Sequence, residues 1–273
     1  MITILVSDMN RSPVKRLVKT AGGALPKIRM LTYTQAFRTY SIPNGCLVFT
    51  DFDLMSDFEL DAACMIAAAV EKHSTSNRIL NDPRKAMERY DLLSQLHANG
   101  LNTVEVTRLR ESRRPHRYPL FIRFESGCLR PDSELIHNKD AYDLAVKHLV
   151  YEGRSLRGRI SVSFENDPDK DGYFRKYGAF RIGEHIIPQH ILRSPGWIVK
   201  SNRAKPGPDF IEEELYFVRE NPHRDALMDI FKTAKIDYGR IDYAMHNGRV
   251  VVFEINTNPT FPRFVGGNPA REA

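Results

Sequence analysis

Apolar and polar positions along this chain fall into runs whose period switches between strand-like and helix-like. Residues 1–7 (MITILVS) form an apolar run, read as a first buried strand; it is short for a signal sequence and has no basic lead-in. Residues 45–50 (GCLVFT) read as a second strand after Pro43-Asn44. Over residues 57–73, Phe58, Leu60, Ala62, Met65, Ile66 and Ala69 recur at helical spacing, with Asp57 as the expected cap after Ser56. Such alternation predicts a small α/β domain over 1–75.

A second unit is expected over 76–165. Asn81-Asp82-Pro83 is a helix start, and the helix should run from 82 to 97 and stop at Asn99-Gly100. Strands follow at 103–107 and 119–124, then a helix at 138–152 and an alternating strand at 159–165 (RISVSFE). The polar segment 166–172 (NDPDKDG) reads as a hinge into a third unit, 166–273. There, 173–182 and 185–192 predict a hairpin closed at Gly183-Glu184. A short strand at 197–200 (WIVK), helices at 210–219 and 222–235, and a last strand pair at 240–245 and 250–256 complete the set.

That last pair carries candidate chemistry. Period two puts Arg240, Asp242 and Ala244 on one face, and Val250, Val252, Glu254 and Asn256 on one face of the next strand. Asn247-Gly248 suits a two-residue turn, which would set Asp242 opposite Phe253 and lay apolar side over polar side. A three-residue loop, or a bulge of equal effect, brings Ile241, Tyr243 and Met245 onto the side of Val251, Phe253 and Ile255 and sets Asp242 opposite Glu254; burial favours this register. Two carboxylates and an amide oxygen gathered this way suit a hard cation such as magnesium. The other reading is an exposed polar face on which Arg240 neutralises Asp242.

Composition narrows the partners. A net charge of +6 points to anions, and the densest basic run, 108–117 (RLRESRRPHR), is bracketed by Pro115 and Pro119 and reads as a solvated loop without a nucleic-acid-binding signature. No apolar run reaches membrane-spanning length. Cys46, Cys64 and Cys128 have no CxxC spacing, which argues against a disulfide frame or zinc site and for a reducing cytoplasm.

Arg240-Ile-Asp242 followed by Glu254-Ile-Asn256-Thr-Asn-Pro259 resembles the C-terminal signature of the ATP-grasp superfamily, which includes D-alanine–D-alanine ligases, glutathione synthetases and RimK-type glutamate ligases. The resemblance implies an α+β fold in which two α+β lobes clasp ATP behind a small α/β N-terminal domain. It implies Asp242, Glu254 and Asn256 as ligands of magnesium, with manganese as a substitute, and Arg240 as a phosphate or intermediate contact. By position it implies Arg89 and Arg123 as phosphate contacts; the family has lysine at both, and arginine keeps the charge but changes the geometry. Val162, Phe164 and Glu165 would line the adenine pocket, with Glu165 or the run Glu212 to Glu214 as ribose candidates. Arg175 and Lys176 lie on opposite faces of one strand, so one of them enters the cleft. Lys200 is the best further cation of that lobe, and Lys205 reads as surface. Glu125-Ser126-Gly127 is a thin version of the family's glycine-rich loop.

The implied activity is an ATP-dependent carboxylate–amine ligase working through an acylphosphate. A phosphotransferase or a non-catalytic nucleotide-binding protein is the alternative. Expected partners are a small carboxylate and an amine or peptide, with room for a homodimer, and neither membrane nor nucleic acid.

Overall fold

The computed structural model describes residues 1–21, 26–39, 41–73, 76–111, 114–127, 130–200 and 207–260. Cys128 and Lys205 lie outside them. The first unit is a parallel sheet in the order β2-β1-β3-β4, from β1 (Ile2–Val6), β2 (Ile28–Thr32), β3 (Cys46–Phe49) and β4 (Arg78–Leu80). Alternation sends Leu5, Leu47 and Phe49 against Ala63 and Ala67 of α3 (Asp57–His73). It sends Ile4, Val6 and Val48 the other way, against Val14 of α1 (Ser12–Ala21) and Tyr238. A sheet covered on both faces is what near-continuous apolar strands require. Ser56, rather than Asp57, caps α3: its hydroxyl accepts from the Glu59 N–H at 3.3 Å while the Glu59 carboxylate accepts from the Ser56 N–H at 2.8 Å. The short helix α2 (Tyr33–Phe37) is closed by a capping box of Thr32 and Gln35.

The expected helix from 82 to 97 is two pieces. Asp82 caps a single 3-10 turn, Pro83–Lys85, and α4 begins afresh at Arg89 and ends at Ala98, with Gly100 at φ +69°. Buried Asn81, itself at φ +56°, staples the first sheet to the rest of the chain. Its amide nitrogen donates to the carbonyls of Phe49 and Tyr238, and its oxygen accepts from the N–H groups of Asp237 and Tyr238.

The second sheet is antiparallel, β5 (Val106–Arg108), β7 (Arg159–Ser163) and β6 (Leu120–Phe124) in the order β5-β7-β6, with α5 (Lys139–Tyr151) packed behind β6. The third, in the order β11-β10-β8-β9, is built from β8 (Phe174–Ile182), β9 (His185–Ser194), β10 (Tyr238–His246) and β11 (Arg249–Asn256). It is backed by α6 (Pro208–Glu220), α7 (Arg224–Ala234) and the apolar side of α4. The helix expected from 222 starts at Arg224, because Asn221 at φ +48° ends α6 first. Residues 197–200 are irregular rather than a strand.

The last strand pair corrects the expected loop and keeps the expected meeting. Its turn has two residues: His246 pairs with Arg249, with Asn247 and Gly248 at φ +49° and +72°. The slip is made up by a bulge at Phe253, after which Asp242 stands opposite Glu254 and Arg240 opposite Asn256. The faces therefore divide differently from a plain period of two. Val250, Val252 and Ile255 join Ile241 and Tyr243 in the core of the third unit, while Val251 and Phe253 face Ile160 and Val162 of the second sheet. Asn102 steadies the bulge from the open edge of β11, donating to the Val252 carbonyl at 3.1 Å and accepting from its N–H at 3.2 Å.

Candidate functional site

A cavity lies where the second and third sheets face each other. One end is aromatic. Phe121 and Phe164 stand 5.2 and 5.5 Å, centroid to centroid, from the ring of Trp197, and Val162 and Val199 add apolar surface. The other end is charged and is lined by Arg89, Arg123, Lys176, Asp242 and Glu254, with Lys200 on the wall between 197 and 200.

The charged end is held by strand alternation. On β8, Lys176 turns into the cavity and its ammonium bonds Asp242 at 2.7 Å. Arg175, the next residue back, turns away and is held by Asp169, Asp171 and Glu213. On β10, Arg240 donates from Nε to the other oxygen of Asp242 at 2.9 Å. Across the bulge, Glu254 accepts from Arg89 at 2.6 Å and has Arg123 at 3.8 Å. Four cations thus surround two carboxylates, leaving a surplus of positive charge. Burial alone would push the Asp242 carboxyl up; the Lys176 ammonium and the Arg240 guanidinium outweigh it and hold the group below its usual value of 3.8. Asp242 is therefore ionised at neutral pH although only 2% of it is exposed.

The loop after β6 is gripped by the same arginines. Arg89 donates to the carbonyls of Glu125 and Gly127, and Arg123 to that of Gly127. The Gly127 N–H donates to Asp53 of the first unit at 3.2 Å. The guanidinium of Arg89 is buried, and its Nε has no hydrogen-bond partner.

Beyond β11 the chain passes into the first unit. The Asn256 amide oxygen accepts from the Asn258 N–H at 2.9 Å. Asp51, in the left-handed conformation at φ +61°, closes the junction. Its N–H donates to the Thr257 hydroxyl, and its carboxylate accepts from Ser7 N–H, Asn10 and the Asn258 amide. Burial raises the Asp51 carboxyl above its ordinary value, and those donors offset part of the shift.

Of the residues singled out in the sequence, Arg89, Arg123, Val162, Phe164, Lys176, Lys200, Asp242 and Glu254 line the cavity. Arg240 adjoins it through Asp242; Asn256 stands opposite Arg240 outside the lining, its amide oxygen accepting from Asn258. Arg175 lies outside, as described, and Glu165 turns to Arg117 at 3.0 Å on the far side of the hinge. Glu213 is taken by Arg175, and buried Glu214 accepts from the Ile191 N–H, so neither reaches the cavity. In the basic run, Arg108, Arg114 and Arg117 pair with Glu125, Asp143 and Glu165. Sequence reasoning missed Phe121, Trp197, Phe253, Asn102 and Asp51. The lone tryptophan after Ser194-Pro195-Gly196 was a usable signal; nothing local marked Asp51, whose partners are Ser7 and Asn258. Among the described residues no group of three or more His, Cys, Asp or Glu side chains is placed to hold a metal. No described helix is long and apolar enough to cross a membrane.

No family model matches the sequence, and no curated protein matches it. Solved structures do. D-alanine–D-alanine ligase from Coxiella burnetii superposes with a TM-score of 0.57 at 12% identity, over 99% of this chain and 89% of its own. D-alanine–D-alanine ligase from Bacillus anthracis, complexed with ATP, gives 0.53 at 13%, over 95% and 86%. The ATP-grasp ligase PsnB, complexed with a phosphomimetic variant of its minimal precursor, Mg and ADP, gives 0.56 at 11%, over 95% and 89%. At such identities the likeness speaks for architecture, and it runs through all three units: this chain has the ATP-grasp fold.

Proposed function

We propose that this chain is an ATP-dependent ligase that joins a carboxylate to an amine through an acylphosphate, with magnesium as its metal. The observation that carries this reading is the cavity's two-ended chemistry. A flat aromatic wall of Phe121, Phe164 and Trp197 suits a purine, and the surplus of positive charge at Arg89, Arg123, Lys176 and Arg240 suits a polyphosphate. The solved ligases, with ATP in one and Mg and ADP in another, support a nucleotide in this fold.

The donors fit magnesium. They are hard oxygens, and magnesium usually takes one or two carboxylates together with substrate phosphates. Asp242 is held ionised, as a metal ligand must be. Asp242, Glu254 and Asn256 would hold the metal, which would neutralise charge developing between phosphate oxygens. The buried Nε of Arg89 is a donor left over for an anion. Lys176 and Arg240, bonded here to Asp242, are the groups that would exchange that carboxylate for phosphate oxygens.

In the proposed reaction an oxygen of the substrate carboxylate attacks the γ-phosphorus and ADP leaves. The amine nitrogen then attacks the acyl carbon, phosphate leaves, and the nitrogen's proton passes to solvent. Nothing in this sequence requires a nucleophile on the protein; the chain's part is to orient, to shield from water and to place positive charge. The test is ADP release with magnesium over a panel of amino acids and small acids, with and without amine acceptors. Release that depends on both acid and amine is expected. Phosphorylated acid accumulating when an amine is present would contradict the ligase, and nucleotide bound without turnover across the panel would contradict catalysis.

A further inference from the structure

Helix α3 buries one side against the first sheet through Ala63 and Ala67, with Ile66 and Val70 beside them. Its opposite side is apolar as well. Phe58, Ala62, Met65 and Ala69 recur at steps of three and four residues and so share one stripe. Phe58 is 78% exposed and Met65 74%. A surface helix ordinarily turns polar residues outward, and one that is apolar all round is ordinarily covered. Two charged residues stand on the same exposed side, Asp61 near the start of the stripe and Lys72 near its end. They are separated by roughly 16 Å along the helix at the usual rise per residue. Neither has an ion-pair partner among the described residues.

We propose that this face of α3 is an interface with a second copy of the chain, the two α3 helices packing antiparallel about a two-fold axis. The arrangement is self-complementary. An axis passing between Met65 and Ala68 sets Met65 on Ala68 of the second copy and, by the same rotation, Asp61 on its Lys72. Both ends of the pair are thereby neutralised. Ala62, Ala68 and Ala69 let the helix axes approach to the close end of the usual range, about 8 Å. Phe58 closes over the C-terminal end of the opposing helix. Because each patch meets its own copy, the contact closes on itself and yields a dimer rather than a filament. An unrelated partner would not require an acid and a base placed symmetrically about the apolar centre.

Sedimentation equilibrium of the full chain, from sub-micromolar concentration upward, tests this. The expected result is a reversible dimer of twice the 31.4 kDa chain mass. Met65→Glu should weaken the dimer by at least about tenfold, since a charge is then buried at the axis without a partner. Asp61→Lys and Lys72→Asp should each weaken it, and the two together should restore it, because the exchange recreates both pairs. All three positions are exposed and away from the cavity, so nucleotide binding should stay at its wild-type value, and so should the melting temperature when read at concentrations where the wild type is monomeric. A monomer at every concentration, a dimer indifferent to Met65→Glu, or a double exchange no better than the single ones would overturn the proposal. Because nucleotide binding is read separately, its failure would leave this interface standing, and the reverse holds equally.

Discussion

The two hairpins of the third sheet are built alike and used differently. Both turn in two residues, at Gly183-Glu184 and Asn247-Gly248, and both carry one bulge. The bulges sit side by side: Asp242 of β10 stands opposite Gly178 on one flank, where β9 spends an extra residue at Gln189, and opposite Glu254 on the other, where β11 spends Phe253. In β8–β9 the bulge brings Gln189 within 3.4 Å of Arg240. In β10–β11 it returns Glu254 to the face of Asp242 while Phe253 covers the second sheet. The first hairpin thus supplies a cation, Lys176, and a polar rest for Arg240, and the second supplies both carboxylates. A sheet that carries charge at its middle gains from bulges there, because they re-aim side chains without unpairing the neighbouring strands.

The largest effect is expected at Asp242, which stands against both bulges. Asp242→Ala leaves Lys176 and Arg240 buried without their anion, and breaking a buried pair from one side costs about 3–5 kcal/mol. Urea unfolding should show that loss, and magnesium-dependent ADP release should fall by about 10³-fold or more. Glu254→Gln touches only the second hairpin. It keeps the shape and removes the charge facing Arg89 and Arg123, so turnover should fall by about 10²-fold with a stability loss of about 1–3 kcal/mol. If β8–β9 alone held the phosphates, Glu254→Gln would leave turnover unchanged.

Gly178→Ala probes the first hairpin. A Cβ there would lie 3.0 Å from the His190 ring, so the imidazole must move, at about 1–3 kcal/mol in a chemical melt. A smaller effect belongs to Asp242→Asn as pH falls. The carboxyl's folded-state value lies below its unfolded one near 3.8, so its stabilisation is complete above that value and is lost as pH drops through the lower folded value. The wild type should therefore lose its stability advantage over Asp242→Asn below about pH 4. Smallest of all, Gly248→Ala at φ +72° should cost about 1 kcal/mol and leave turnover unchanged, since the turn sets register far from the cavity.

Strong, uninterrupted periodicity was readable. β1, β3, α3 and the β8–β9 turn stand where the pattern puts them. α1 and β2 were not read: of the described α1 side chains only Pro13 and Val14 are buried, and Arg29 interrupts β2. On the last hairpin, burial correctly demanded that Asp242 meet Glu254, and of the two means it allowed, the bulge and not the longer loop is the one used. The turn followed its local preference for Asn-Gly, and the conflict moved to Phe253, where Asn102, remote in sequence, satisfies the freed edge. Such compensation has no local signature. The cavity's ionic residues were legible because strands alternate and the signature is local. Of its aromatic wall only Phe164 was singled out; Phe121 and Trp197 were not, because they come from separate segments.

Trp197 is the only tryptophan in the chain and lies in the cavity wall, so its fluorescence reports on the site alone. Titration with ATP and magnesium is the most direct test of whether this cavity takes a nucleotide with its metal. A saturable change in Trp197 emission is expected, one that requires magnesium for full affinity and is strongly weakened in Asp242→Asn. An unchanged emission, with no heat of binding by calorimetry up to millimolar nucleotide, would contradict it.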